Sequence, residues 1–285
     1  MPLTLRPHEK FSCSDGMKTN MIVAWEPWLR VGAFLAVFVA MALWETARPR
    51  RQQQLGRSSR WPSNLGIVVL NSLIVRLFMP TSAVGLAFVC EGRGWGLFNS
   101  AGSPGALSAL LGFVALDLAI YGQHVLFHYV PFLWRLHRMH HADQEFDVTT
   151  GIRFHPIEIL LSMGIKFAVI AVLGVPATAV FIFELILSAT SMFNHGNVAL
   201  SPKWDSALRW FVVTPDMHRV HHSIDARETN SNFGFNFPWW DRVFGTYIDQ
   251  PSAGHETMPI GICHFRRADE QRLDKMLMQP FRDDK

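Results

Sequence analysis

Residues 157–193 form a run of 37 positions in which only Glu158, Lys166 and Glu184 are charged. A straight bilayer-spanning helix needs about 20 residues, so a run of this length has to turn back on itself. Gly174 and Pro176 near its middle predict a tight hairpin of two helices. Leu29 to Leu43 is apolar apart from Arg30 and is flanked by Trp28 and Trp44, as expected of a span with interfacial aromatics. Leu65 to Cys90 is a further candidate, interrupted by Asn71, Arg76 and Pro80, and Ala106 to about His128 is another, carrying Asp117. Composition agrees: 49% of residues are apolar and 17% charged, against about 25% charged in average soluble proteins. The expectation is an all-α integral membrane protein with about four transmembrane helices and a cytosolic histidine-rich cap beginning near Asn194. Lys166 is expected to snorkel, and Arg76 either to snorkel or to mark a helix broken at Pro80.

Basic loop residues give the orientation. The segment after the first span carries Arg48, Arg50, Arg51, Arg57 and Arg60 with no acid after Glu45, whereas residues 91–104 hold only Arg93, offset by Glu91. An arginine-rich loop stays cytoplasmic, which places the amino terminus outside and, after four crossings, the C-terminal region inside. Residues 1–28 read as a polar extension without a cleavable secretory signal. Cys13, Cys90 and Cys263 form neither a disulfide framework nor a CxxC metal site. A net charge of +3 without a lysine-rich run excludes nucleic acid as a partner.

Chemistry enters with histidine. His137-x-x-His140-His141 and His218-x-x-His221-His222 are near-copies, and His124-x-x-x-His128 precedes the first. Residues three and four apart share a helix face, and neutral imidazole suits iron, zinc and copper. These eight of the thirteen histidines could give roughly four imidazoles to each of two metals, more than a structural zinc site takes up. His155, His195 and Asn197 are further candidates. No paired Glu-x-x-His arrangement of the ferritin-like kind is present, so a metal pair here would be histidine-rich. Asp117, Asp143, Glu145, Asp147, Asp216, Asp225 and Asp241 lie near enough in sequence to orient the imidazoles. Asn232, Gly234, Asp241 and Gly245 read as turn residues over the metals. His8, His255 and His264 read as ordinary surface residues.

Asp117-x3-Tyr121-x2-His124-x3-His128, Leu133-Trp134-Arg135-x-His137-x2-His140-His141 and Arg153-x-His155-Pro156-x-Glu158, followed by Thr214-Pro215-x2-His218-x2-His221-His222-Ser223, Asn232-x-Gly234 and Trp240-Asp241-x2-Phe244-Gly245-Thr246, together resemble the fatty acid hydroxylase/sterol desaturase superfamily. The likeness covers about residues 105–247. It implies a membrane oxygenase whose two iron ions are held by His124, His128, His137, His140, His141, His218, His221 and His222, with His195 as an additional ligand and His155 a less secure one. It further implies a lipid substrate (sterol, fatty acyl or related) that is hydroxylated or desaturated with O2 and two electrons. No haem, flavin or iron–sulfur motif is visible, so a separate ferredoxin-type or cytochrome-type protein would supply the electrons. No catalytic residue beyond the metal ligands is assigned. The expected division is an extension over 1–28, two transmembrane helices over 29–104, the catalytic domain over 105–247 and a tail over 248–285. The competing reading, from a different class, is a non-enzymatic membrane protein with a structural or metal-handling zinc site, since imidazole ligation alone does not separate iron from zinc.

Overall fold

A computed structural model describes residues 13–283, with side chains from Trp25 onwards. The expected reading of residues 1–28, and His8 within it, therefore lies largely outside the described residues. The described elements are helices and short helical turns, with two isolated β-bridges, Pro49 to Val198 and Ser223 to Ile260.

The long helices follow the apolar runs. α1 spans Cys13–Ala47, α2 Arg57–Phe78, α3 Ala83–Arg93 and the short α4 Leu97–Ser100. α5 covers Gly105–Tyr129 and α6 Pro131–His141, the latter opened by proline in its first turn. The hairpin is α7, Pro156–Leu173, and α8, Ala177–Asn194. Helices are what such segments can form, because lipid offers no partner to a backbone N–H or C=O. At 1.5 Å per residue, α7 and α8 are each about 27 Å long, close to the hydrocarbon thickness of a bilayer.

Five segments are long and apolar enough to cross a membrane: Trp25–Ala47, Arg57–Ser100, Gly105–Tyr129, Pro156–Leu173 and Ala177–Asn194. These five candidates stand against the expected count of about four, because each half of the hairpin is by itself long and apolar enough to span. The Arg57–Ser100 segment is one broken span. α2 stops at Phe78, Pro80 interrupts it, and α3 restarts behind a Ser82 side-chain cap. At the hairpin tip Gly174 has φ 69°, and a Cβ on Gly96 (φ 94°) would meet the Gly174 backbone N at 2.2 Å. Two glycines here allow the 94–104 turn to lie directly on the α7–α8 turn. Glu91 accepts the Ala177 N–H at 2.8 Å beside them.

The other ends of the five spans converge on a polar assembly built from residues 48–56, 130–155 and 195–283. Arg51 N–H donates to Asn197 Oδ1 at 3.1 Å, Gln53 to Asp147 at 3.1 Å, and the Gln54 and Leu55 N–H groups to Glu145 Oε1. Short helices α9 (Pro202–Leu208), α10 (Pro215–His221), α11 (Ala226–Thr229), α12 (Trp239–Val243) and α13 (Leu273–Met278) complete it.

Two stretches of this assembly pack back onto the long helices. Residues 233–244 run back along α5. Trp240 Nε1 donates to Asp117 at 2.8 Å and the Phe237 ring lies 5.8 Å from Phe113. Asp117 is about 18 Å from Tyr129 along the helix axis. Trp210, Phe211, Trp239, Val243 and Phe244 are exposed on the outer side of this stretch. The stretch from residue 248, read as the C-terminal tail, packs against the rest: Met276 joins Ile67 and Met139 in a small buried cluster, and Gln271 and the Gln279 and Pro280 carbonyls bind Arg153, Arg138 and Arg135. The described cysteines Cys90 and Cys263 are free thiols.

Candidate metal centre

Four elements bring the histidines together. The last two turns of α5 carry His124 and His128 four residues apart, on one face. α6 presents His137, His140 and His141. His195 follows the C-terminal end of α8. α10, capped by the Thr214 side chain with Pro215 in its first turn, presents His218, His221 and His222. Nine histidines result in two groups whose candidate ligand atoms lie within 4.8 Å of one another: His124, His128, His137, His141 and His221, and then His140, His195, His218 and His222.

Two imidazoles of each triplet share a group and the third joins the other. Each is divided, in opposite senses. His137 and His141, at i and i+4, join the first group while His140 joins the second; His218 and His222, at i and i+4, join the second while His221 joins the first. His141 and His222 stack at 4.4 Å, 15° from parallel, where the groups meet.

Hydrogen bonds fix the tautomers. The Nδ1 of His124, His195 and His221 faces the carbonyls of Phe233 at 2.8 Å, Ser191 at 2.7 Å and Ser231 at 2.7 Å. His140 Nδ1 faces the Arg153 carbonyl at 3.3 Å, His128 Nδ1 faces Asn230 Oδ1 at 3.3 Å, and His137 Nδ1 faces a Glu158 carboxylate oxygen at 2.7 Å. All these partners accept, so Nδ1 carries the proton and Nε2 is left with a lone pair. Imidazoles prepared for a metal are held in this way.

The lone pairs have nowhere to go within the protein. Nε2 of His124, His128, His137 and His221, both ring nitrogens of His141, and Nδ1 of His218 and His222 are buried without a hydrogen-bond partner. In the second group His195 Nε2 is 3.1 Å from His140 Nε2, 3.1 Å from His218 Nε2 and 3.2 Å from His222 Nε2. With the His140 and His195 protons already on Nδ1, that pair presents lone pair to lone pair, which costs energy unless a cation lies between. A tetrahedral ion with metal–nitrogen bonds of 2.0–2.1 Å needs ligand separations of about 3.3 Å. The donor set therefore fits two transition-metal ions.

Electrostatics point the same way. Burial, reinforced by neighbouring imidazoles, holds His140, His141, His218 and His222 well below the ordinary imidazole range. Burial lowers His195 to about 3 and His221 to about 3. These rings are neutral at physiological pH, the form a metal requires.

The other candidates lie elsewhere. His155 stands outside both groups: its Nδ1 accepts the Ile157 N–H at 3.2 Å, which caps α7, and its Nε2 faces the Leu277 carbonyl. Asn197 ties Arg51 to the chain beyond α8. His255 is buried against Gln250 at 2.9 Å, with Asp216 at 3.6 Å, and is not a surface residue, whereas His264 is exposed. None of the seven proposed orienting carboxylates hydrogen-bonds a histidine of the two groups. Asp143 and Asp147 hold Arg60, Glu145 holds the 54–55 backbone, Asp216 holds Arg50 and Arg219, Asp225 caps α11, and Asp117 takes Trp240. Asp241 acts at one remove. It accepts the Phe233 and Gly234 N–H groups at 2.8 Å, and the Phe233 carbonyl in turn accepts from His124. Asn232, with φ 49°, fixes the same loop through the Met217 and Ile248 carbonyls.

Glu158 was missed as an orienting group, although a lone acid opening a long apolar run has to be paired with something. Gly151 was missed as well: a Cβ there would meet the Ser191 carbonyl at 2.3 Å and His195 Nδ1 at 3.1 Å. Phe154, stacked 4.6 Å from His140, had no signal of its own. Lys166 does not snorkel. It is buried and donates to Glu184 at 2.5 Å. A cavity of about 440 Å³ opens between the spans beside the centre, lined near the histidines by Gly151, Phe154, Glu158, Ser191 and Phe235.

The family model described as "Fatty acid hydroxylase" matches residues 109–246, the stretch that carries all nine histidines. The chain is 30% identical over 148 residues to ornithine lipid hydroxylase OlsE of Rhizobium tropici, covering 52% of this chain and 44% of that protein. It is 29% identical over 158 residues to alkylglycerol monooxygenase of Xenopus tropicalis, covering 54% and 32%. It is 25% identical over 166 residues to fatty acid hydroxylase vlmA of Lecanicillium sp, covering 54% and 44%. The matches thus span less than half the length of these relatives. No solved structure matches the chain.

Proposed function

We propose, from the premise that residues 109–246 belong to the fatty acid hydroxylase/sterol desaturase-like superfamily, that this protein is a membrane oxygenase that hydroxylates or desaturates a lipid at a non-haem di-iron centre. The observation that carries the proposal is two adjoining groups of largely buried histidines, their unpartnered nitrogens convergent, at the end of a mainly apolar cavity between long apolar helices.

The assignment of ligands is His124, His128, His137, His141 and His221 to one ion, and His140, His195, His218 and His222 to the other. Bound iron would supply O2 reduction and oxidation of an unactivated C–H bond. Hydroxylation consumes O2, two electrons and two protons and yields an alcohol and water; desaturation yields an alkene and two waters. The chain's own residues orient and shield. The Phe233, Ser231, Ser191 and Arg153 carbonyls, Asn230 and Glu158 fix the rings; Phe154 and Phe235 wall the centre against water; the cavity admits a chain from the bilayer. A separate ferredoxin-type or cytochrome-type protein delivers the electrons. The metal centre faces the cytoplasm, a reading supported by the arginine-rich segment that packs onto the same assembly.

One observation favours a second reading: the four-histidine group has the spacing of a closed tetrahedral site, which suits structural or stored zinc. The two are separated by purifying the protein in nanodiscs after expression with iron, then measuring metal content and O2 uptake with a chemical reductant and membrane lipid. Uptake of O2 coupled to lipid products with one added oxygen or two fewer hydrogens supports the oxygenase. Retained zinc without O2 uptake supports the alternative. His140→Ala and His221→Ala should each lose metal and turnover while still inserting into membranes, and full activity in both would reject the ligand assignment.

A further inference from the structure

The cavity beside the metal centre has a second polar end that ligating the metals does not use. Lys166 on α7 and Glu184 on α8 face each other at 2.5 Å, Glu184 also accepts from Arg30 of α1 at 2.6 Å, and Arg30 reaches Glu26 at 2.9 Å. Arg30, Lys166 and Glu184 all line the cavity. Charges inside membrane spans are costly and commonly mark substrate or ion paths.

Two features say what this end would hold. First, the chain Glu26–Arg30–Glu184–Lys166 alternates in sign and balances, so a further full charge would be uncompensated in a low-dielectric setting. Second, the chain ends on a donor. The Lys166 ammonium has three N–H groups; Glu184 takes one, and a second faces only the weak acceptor Met163 Sδ at 3.8 Å. Ser162, one turn before Lys166, and Ser188, one turn after Glu184, line the same cavity and add hydroxyls. The rest of the lining is mainly apolar, and the volume of about 440 Å³ is that of a pocket for one small ligand. An adjoining cavity of about 470 Å³ between α1, α2 and α8 shares Arg30, Glu184 and Ser188, so the charged end stands where the two spaces meet.

Resting on the oxygenase reading for its consequence, we propose that Lys166 binds an uncharged oxygen group (a hydroxyl, ether or carbonyl) of a single-chain lipid and so fixes which carbon reaches the metals. Lys166 lies eight residues beyond Glu158, which touches His137, and Glu184 lies eleven before His195. At 1.5 Å per residue these separations are about 12 and 16 Å. An extended chain advances about 1.2 Å per bond, so oxidation would fall on the order of ten bonds from the bound oxygen.

The test is binding of tritiated 1-hexadecanol to the full-length, metal-free protein in nanodiscs, with unlabelled 1-hexadecanol, palmitate and hexadecane as competitors. Palmitate and hexadecane should each compete about tenfold less well than 1-hexadecanol. Lys166→Met should weaken 1-hexadecanol binding about tenfold, as expected for loss of a hydrogen bond to a charged group, and Lys166→Arg should restore most of it. Equal competition by palmitate, or unchanged binding in Lys166→Met, would overturn the proposal and leave the ion chain as a brace between helices. Should Lys166→Met fail to insert, the wild-type competition still decides. Since no metal is present, this outcome is independent of whether the protein is an oxygenase.

Discussion

At the scale of single residues, Glu158 is the clearest case of a side chain acting through another. Its carboxylate accepts from His137 Nδ1 at 2.7 Å, and groups that orient a metal-bound imidazole are typically worth about 10–100-fold in metal affinity or activity. Glu158→Gln should therefore lower metal affinity within that range, as measured by competition with a chelator. His155, three positions earlier, should behave differently: losing its cap on α7 should cost about 1 kcal/mol of stability and leave metal content intact. The sequence makes eight of the nine histidines conspicuous through their spacing, since imidazoles at three and four residues seldom recur by accident beside apolar helices; His195 has no such partner. The sequence does not reveal the division of each triplet between two groups. That depends on the angle at which α6 meets α10, a tertiary quantity with no local signature.

The histidines also set a pH dependence. His195 and His221 have native values of about 3 through burial, against about 6.5 in an unfolded chain. The native state then binds fewer protons than the unfolded one, so the contribution is fully present above about pH 6.5 and is lost progressively as pH falls towards about 3. The metal-free protein should melt at a lower temperature at pH 5.0 than at pH 7.5 in the same nanodiscs. Equal melting temperatures would mean that these rings are protonated, or solvated, in the folded protein.

At the scale of elements, α2 is anchored by an ion pair that its sequence hides. Arg60, fully buried, donates to Asp143 at 2.6 and 2.7 Å and to Asp147 at 2.7 Å, and so holds the loop after α6 against α2. As sequence, Arg60 is one of five arginines in a basic segment and reads as a topological signal. In the fold Arg50, Arg51, Arg57 and Arg60 are each engaged with the polar assembly or with α1. Removing one partner of a buried pair typically costs about 3–5 kcal/mol. Arg60→Met should therefore lower the denaturant midpoint of the solubilised protein and loosen the 143–150 loop to proteolysis. The helices themselves are largely legible, because apolar length and the Gly174 and Pro176 breaks act locally. α13 and residues 279–283 are not: what holds them is Gln271 against Arg153 and backbone carbonyls against Arg135 and Arg138, pairings across more than a hundred positions.

For the whole molecule, five segments are long and apolar enough to cross a membrane, and residues 48–56, 130–155 and 195–283 gather into one polar assembly at their ends; we propose that all five cross. Reporter fusions near Ser103 and at the C-terminus should report opposite compartments, the C-terminal one cytoplasmic. Matching signals would separate the histidine-bearing elements across the bilayer. The return of residues 233–244 along α5 adds an aromatic flank at the level of Asp117, so the centre is enclosed both by spans and by a segment that hydropathy alone assigns to solvent.

The most direct test of the account is the iron content of the full-length protein reconstituted in nanodiscs after anaerobic loading with ferrous iron, counted per chain alongside the His195→Ala and His137→Ala variants. Two ions per chain are predicted for the two groups, with His195→Ala and His137→Ala each losing iron, the former from the four-histidine group and the latter from the five-histidine group. A single ion per wild-type chain, or full occupancy in both variants, would contradict it.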